Sequence, residues 1–390
     1  MAAVPYDVVN TAEARGLAAG NPLSFLHVSR AEIDLPDGTD PYSPQVYEKA
    51  AAAFAALRAD APLEVETEPS LYVYRLQMGS HIQTGVAGCF SLDEYDTDLI
   101  KKHERTRRDK EDDRTRHILA VRGQTGPVFL TYKAASGVDG VVARITAQAP
   151  LFTFTAPDGI VHTTWRASAA DQDGLVSAFG LIPALYIADG HHRAASAARA
   201  RQELGGATKT PGEWDTFLAA AFPDNQMQVL AYNRAVKDLN GQSAESLLAK
   251  VGQVHRVAPG GAVPSRPGVV CMYLAGAWHE ITLTAASAST SASASPSDRL
   301  DVSVLQDTVL TPLLGIGDVR SDKRIDFVGG ARGTAELAFL VTSGRAAVAF
   351  SLFPVRVTDL MDISDAGGIM PPKSTWFEPK LRDGLLSHLI

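Results

Sequence analysis

LYIADGHHRAASAARARQEL, residues 185–204, is an apolar run that breaks at Asp-Gly and resumes as an alanine-rich segment. Its first half has the length and composition of a buried strand, and its second half is rich in strong helix formers. A strand running straight into a helix leaves the first backbone amides of that helix without intrahelical partners, at the positive end of the helix dipole. Such a corner suits an anion. Gly190 lets the backbone approach a ligand, His191 and His192 offer donors or proton carriers, and Arg193 presents a planar fork that matches phosphate oxygens. Asp189, at the carboxyl end of the strand, can cap the helix, hold Mg²⁺ or accept a proton. Asp-Gly before an Ala-rich helix is equally ordinary helix-start chemistry, and adjacent histidines point apart. The dipole supplies only about 0.3–2 kcal/mol, so other groups must complete any active site.

Around this turn lies a chain of 390 residues, 45% hydrophobic, long enough to favour two domains. A formal charge of −8 opposes binding to nucleic acid or anionic membrane. Cys89 and Cys271, the only cysteines, cannot build a disulfide framework, which favours a reducing compartment. MAAVPYDVVNTAEARG (1–16) lacks the basic and apolar regions of a signal peptide, and no run of about 18 apolar residues occurs, so the cytoplasm is expected.

Helical spacing predicts helices within 10–20 and 41–63, with NPLSFLHVSR (21–30) as a loop between them. Strands are expected at 71–78, 83–95, 185–189, 226–236, 268–276 and 278–285, and in two pieces over 334–355. Helices are expected at 191–204, 214–223, 243–252, the last capped by Ser243, and 302–315. The Ser/Ala-rich stretch 285–298 contains no large apolar residue and reads as a loop. The mixture predicts an α+β (mixed α/β) fold, divided into 1–245 and 246–390.

KKHERTRRDKEDDRTRH (101–117) packs thirteen charged residues and two histidines into seventeen positions. It reads either as a solvated helix with i,i+4 pairs such as Glu104 with Arg108, or as part of a phosphoryl-transfer site. Such a site needs cations to offset charge, a carboxylate to orient the attacking hydroxyl, and carboxylates for Mg²⁺. Asn21, Ser24, His27 and Arg30 could form a polar wall. Near the C-terminus, MPPKSTWFEP (370–379) lacks the glycine that a P-loop places before its lysine, yet its prolines stiffen a segment presenting Lys373, Ser374 and Thr375. Asn233 and Arg234 fit either a site or strand-end packing.

The DGHHR of residues 189–193 resembles the signature of free-serine kinases in the ParB/sulfiredoxin fold. Through PYDVVNTAEARGLAAGNPLSFLHVSR (5–30), the charged run, ADGHHR (188–193), LAYNRAVKDLNG (230–241) and MPPKSTWFEPKL (370–381), the whole chain resembles the uncharacterised family called domain of unknown function 1015. The resemblance implies a ParB/sulfiredoxin-like core elaborated by insertions, with a C-terminal α+β region, and a kinase that phosphorylates a small hydroxyl compound such as L-serine from ATP or ADP with Mg²⁺. In that reading Gly190, His191, His192 and Arg193 hold the nucleotide, aided by Lys373 and Ser374. Asp189 holds the metal, and Glu104 is the catalytic base beside His103 and Arg105, with Glu111 and Glu32 as alternatives. His103, Arg105, Asn21 and Ser24 contact the substrate. Chemistry by Asp189, His191 and His192 is also open. The sulfiredoxin cysteine between Gly and His is absent here, as are the Gly-Glu-Arg-Arg turn and DNA-binding helices of ParB. The alternative is a regulatory protein switched by CTP or ATP. Expected partners are a nucleotide and a hydroxy amino acid, without nucleic acid or membrane; a homodimer remains open.

Overall fold

The computed structural model describes residues 1–61, 63–205, 211–284 and 295–390. It is a mixed α+β structure in two compact units, one formed by Met1–Met227 with Pro379–Ile390 and the other by Gln228–Glu378. The division falls eighteen residues before the expected boundary at 245, and the last residues of the chain return to the first unit. Tyr232–Val236 explains the shift, because it is an interior strand of the second unit's sheet and cannot be cut from it. Residues 285–294 of the Ser/Ala-rich stretch lie outside the described residues.

In the first unit eight strands run in the order Ile100–Lys101, Leu185–Asp189, Val128–Tyr132, Thr216–Pro223, His81–Ser91, Tyr72–Met78, Val161–Arg166 and Phe152–Thr155. Pairing is antiparallel except between Ile100–Lys101 and Leu185–Asp189, and between Val128–Tyr132 and Thr216–Pro223. The alanines of TFLAAAFP favour a helix by propensity, yet this segment is a strand, buried at seven of its eight positions. A strand covered on both faces shows no alternation, so its apolar run cannot be told from a buried helix by period alone. Its small side chains suit the site, where a Cβ on neighbouring Gly85 would meet Ala221 O at 2.3 Å.

Helix Thr11–Ala18 opens with a capping box between Asn10 and Glu13, and Pro44–Asp60 carries proline in its first turn, both as their sequences predict. The stretch expected to be a loop holds helix Leu26–Ser29, whose Leu26 and Val28, with Phe25 just before it, join a separate core with Phe54 and Leu57.

The second unit has an antiparallel sheet in the order Arg256–Pro259, Ala277–Thr282, Val269–Leu274, Val348–Leu352, Tyr232–Val236 and Ile325–Gly329. Ser243 caps helix Ala244–Val254 by accepting from Ser246 N at 3.2 Å. Gly333–Thr342 is a helix where a strand was expected; Leu337 is its buried residue, packed with Ala235, Val328 and Ala349. One buried position in ten explains why no alternating pattern could have held it in the sheet. No helix among the described residues is long and apolar enough to cross a membrane.

Candidate functional site

Strand Leu185–Asp189 is buried until its last residue, and helix His191–Gly205 begins two residues later. Opposite its end the register slips: Ile187 faces Leu130 while Asp189 faces Phe129, a β-bulge of the kind that re-aims a strand end. Gly190 makes the reversal at φ +96°. A Cβ there would also come within 3.0 Å of Arg193 Cζ and Nε. Gly190→Ala should therefore cost about 2–4 kcal/mol, combining backbone strain with displacement of the guanidinium. Urea denaturation followed by circular dichroism measures it; a loss below about 0.5 kcal/mol would mean the turn is not held in this conformation.

The helix starts with Ala194 N donating to Gly190 O at 3.0 Å, and Ala194, Ala197 and Ala200 are buried, so small side chains let it lie close to the sheet. Arg193 points inward. One Nη donates to Pro127 O, the other lies 3.8 Å from both Asp7 and Asp189, and Nε is buried with no hydrogen-bond partner among the described residues. Asp189 accepts from Lys380 Nζ at 2.7 Å. These two cations hold its carboxyl below the usual range despite burial. Lys380 comes from the C-terminal tail, which is tied to the N-terminus by mutual bonds between Ala3 and Asp383 at 3.1 and 3.0 Å.

Behind Arg193 is a small cavity of about 40 Å³ walled by Tyr6, Arg114, Gln124, Thr125 and Asp383. Ile118, Val128 and Leu218 complete its wall, and it is of the order of one or two waters in size. Burial raises the Asp383 carboxyl to about 7, with Arg193 and Arg114 opposing and Asp7 adding to the rise. The folded state thus binds this proton more tightly than the unfolded chain. The contribution is fully present below about pH 4 and is lost as pH rises through about 7. Relative to Asp383→Asn, wild-type unfolding free energy should fall by a few kcal/mol, an order of magnitude, between pH 4 and 8. Parallel slopes for the two proteins would refute it.

On the other side, His191 is buried and meets the His103 ring edge-on with centroids 4.4 Å apart. Burial holds both rings neutral, with His103 lowered to about 4 and His191 well below its ordinary value. His191 Nε2 accepts from His103 N at 3.4 Å, which puts the ring proton on Nδ1, 3.8 Å from Glu104 Oε2. His192 Nε2 accepts from Arg107 N at 3.0 Å. Both histidines of the turn thereby fasten the 103–107 segment to the helix. The Glu104 and Asp189 side chains are 41% and 29% exposed, against 9% for Arg193, so a ligand from solvent reaches the two carboxylates before the guanidinium.

The sequence candidates thus divide. Asp189, Gly190, His191, His192, Arg193, His103 and Glu104 come together. Arg105 is exposed, and no hydrogen bond or ion pair among the described residues joins it, Asn21 or Ser24 to the turn. Ser24 instead accepts from Leu26 N at 3.4 Å, and Asn21 O accepts from His27 at 3.2 Å. Glu111 lies on helix Arg108–Val121 and pairs with Arg199 at 3.5 Å, as Asp112 does at 2.6 Å. That half of the charged run ties two helices together. Glu32 is buried against Arg30 at 2.9 Å. Lys373 and Ser374 belong to the second unit. No cluster of three or more metal-ligating side chains occurs among the described residues.

Asp7, Lys380 and Asp383 escaped sequence reading. Asp7 is a lone charge in PYDVV, and Lys380 and Asp383 lie in FEPKLRDG, whose mixed charges follow no periodicity; only the junction of the two termini delivers them to the turn.

No curated protein matches the chain. Among solved structures, it is similar to a variant free serine kinase in complex with ADP, with 12% identity, TM-score 0.36, and 81% of this chain and 91% of that one covered. It is also similar to SbnI with a C-terminal truncation from Staphylococcus aureus, with 12% identity, TM-score 0.39 and coverage of 76% and 85%. A conserved hypothetical protein from Pyrococcus furiosus gives 13% identity, TM-score 0.35 and coverage of 82% and 96%. A family model described as a protein of unknown function, DUF1015, matches residues 1–303, and the chain belongs to that family.

Proposed function

We propose that the first unit binds a nucleotide at the Asp189–Arg193 turn and transfers a phosphoryl group to a small hydroxyl compound, with free L-serine as the leading acceptor. The observation that carries this reading is the meeting, at one strand–helix corner, of Lys380 on Asp189 at 2.7 Å and of Glu104 with the His191 ring at 3.8 Å. Phosphoryl transfer needs little covalent help and depends on positioning and charge compensation, which such a corner can supply.

Glu104 is the group placed to take the proton of the attacking hydroxyl, and His191 orients it from behind. His103 and His192 position the backbone that carries Glu104. Lys380 can offset phosphate charge, while Arg193 serves from the inside by keeping Asp189 ionised. Mg²⁺ fits this donor set in one way: Asp189 would hold it together with nucleotide phosphate oxygens, as Mg²⁺ commonly takes one or two carboxylates and substrate phosphates. When bound it would neutralise charge developing on the phosphates.

Purified protein given ATP or ADP, Mg²⁺ and L-serine should release O-phosphoserine, detectable by phosphorus NMR. Absence of product with every hydroxy amino acid tried would remove the kinase reading. A second reading, a nucleotide-responsive regulator of the CTP or ATP kind, is favoured by Arg193's existing engagement with Pro127, Asp7 and Asp189, which a phosphate would have to break. It predicts saturable nucleotide binding by calorimetry without acceptor-dependent turnover.

A further inference from the structure

We infer that the second unit contains an anion site of its own, a cavity of about 270 Å³ with Arg234 at its base and Lys373 and Arg299 at its mouth, which takes a small organic phosphate or carboxylate. This does not rest on the function proposed for the first unit.

Arg234 lies on interior strand Tyr232–Val236 and is 1% exposed. Its guanidinium donates to Tyr232 O at 2.6 Å and to Pro372 O at 3.5 Å, and it sits 4.6 Å from the centroid of the Phe327 ring. Those are neutral partners. Among the described residues, no carboxylate lies within ion-pair distance of it. A buried cation without a counter-charge is expensive, and the missing charge is what a ligand in the adjoining cavity would bring. Burial, opposed only by Tyr232, lowers its pKa to about 9, in keeping with that deficit.

The acidic wall is already engaged. Asp301 accepts from Gly268 N at 2.9 and 3.0 Å, and Asp359 pairs with Arg356 at 2.5 Å, leaving Asp362 as the remaining carboxylate of the lining. Lys373 and Arg299 are both exposed. Lys373 is held at φ +58°, a conformation unusual for a non-glycine residue, and its Nζ lies 5.6 Å from the Tyr232 ring centroid. Leu352, Phe353 and Val355 supply apolar wall. The volume lies just below the range of about 300–1,000 Å³ common for small-molecule sites, which suits a compact anion with a short apolar body better than a nucleotide.

Calorimetry on the full chain, with inorganic phosphate and with succinate as probes at constant ionic strength, tests this. At least one probe should bind saturably, and Lys373→Met and Arg299→Gln should each weaken it about tenfold or more. Arg234→Met, which keeps the volume and removes the charge, should abolish binding without lowering the midpoint of thermal unfolding. The two rim variants carry the test should that protein fail to fold. Binding of phosphate alone would identify a phosphate-ester ligand, and binding of succinate a carboxylate. No saturable binding of either probe, or equal affinity in both rim variants and wild type, would overturn the inference.

Discussion

Arg193→Ala should lower the unfolding free energy by about 3–5 kcal/mol, the cost of removing one partner from a buried charge network. The guanidinium is the cation shared by Asp7, Asp189 and Asp383, and it satisfies the Pro127 carbonyl. Its loss falls unevenly on the three acids. Asp189 keeps Lys380 at 2.7 Å, and Asp7, with a side chain 39% exposed, can regain water. Asp383 is 2% exposed and retains only Arg114 as a counter-charge, so its carboxyl should move further upward. The deficit should consequently be larger at pH 8, where wild-type Asp383 can ionise beside Arg193 and the variant's cannot do so as readily, than at pH 5.5, where both remain protonated. Urea titrations at both pH values measure this. A deficit below about 1 kcal/mol at each would show that the corner relaxes and that Arg193 is not its keystone. The same network means that lost activity in Arg193→Ala would not by itself prove a phosphate contact.

The strand–turn–helix at 185–205 was legible because every local signal agreed: a short apolar run, Asp-Gly at the break, and alanines after it. Helix Pro44–Asp60 and the capped helix after Ser243 were legible for the same reason. Residues 216–223 misled because alanine is a strong helix former while the middle of a two-sided sheet asks only for small apolar side chains. Residues 333–342 misled in the opposite direction, with β-branched and aromatic residues in a helix that buries Leu337. At the site, residues near the turn or tied to it through backbone contacts, such as His103 and Glu104, could be guessed from a dense charged run. The direction of Arg193 could not. It depends on Asp7 and Asp383, which stand 186 and 190 positions away in sequence and meet it only because the two termini pair.

Glu104→Gln should reduce kcat for phosphoserine formation by about 10²–10⁴-fold, the usual worth of a positioned general base. Glutamine keeps the length, and the 103–107 segment is held by its backbone amides donating to His191 and His192, so its geometry should persist while the capacity to take a proton disappears. The Glu104 side chain is 41% exposed, so stability should change by less than about 1 kcal/mol, in contrast to Arg193→Ala. Nucleotide affinity should stay within about threefold of wild type, because the proposed mechanism directs Glu104 to the acceptor and not to the phosphates. Glu104→Asp tests position separately: it retains the carboxylate but withdraws it by one methylene, and should fall between wild type and the glutamine variant. Full activity in Glu104→Gln would remove the base assignment. It would not transfer the role to Glu32 or Glu111, since the first is buried against Arg30 and the second is occupied by Arg199. Asp189 would then be the remaining carboxylate at the turn, and its ion pair with Lys380 makes it a weak base, so transfer would have to proceed by positioning and charge compensation alone.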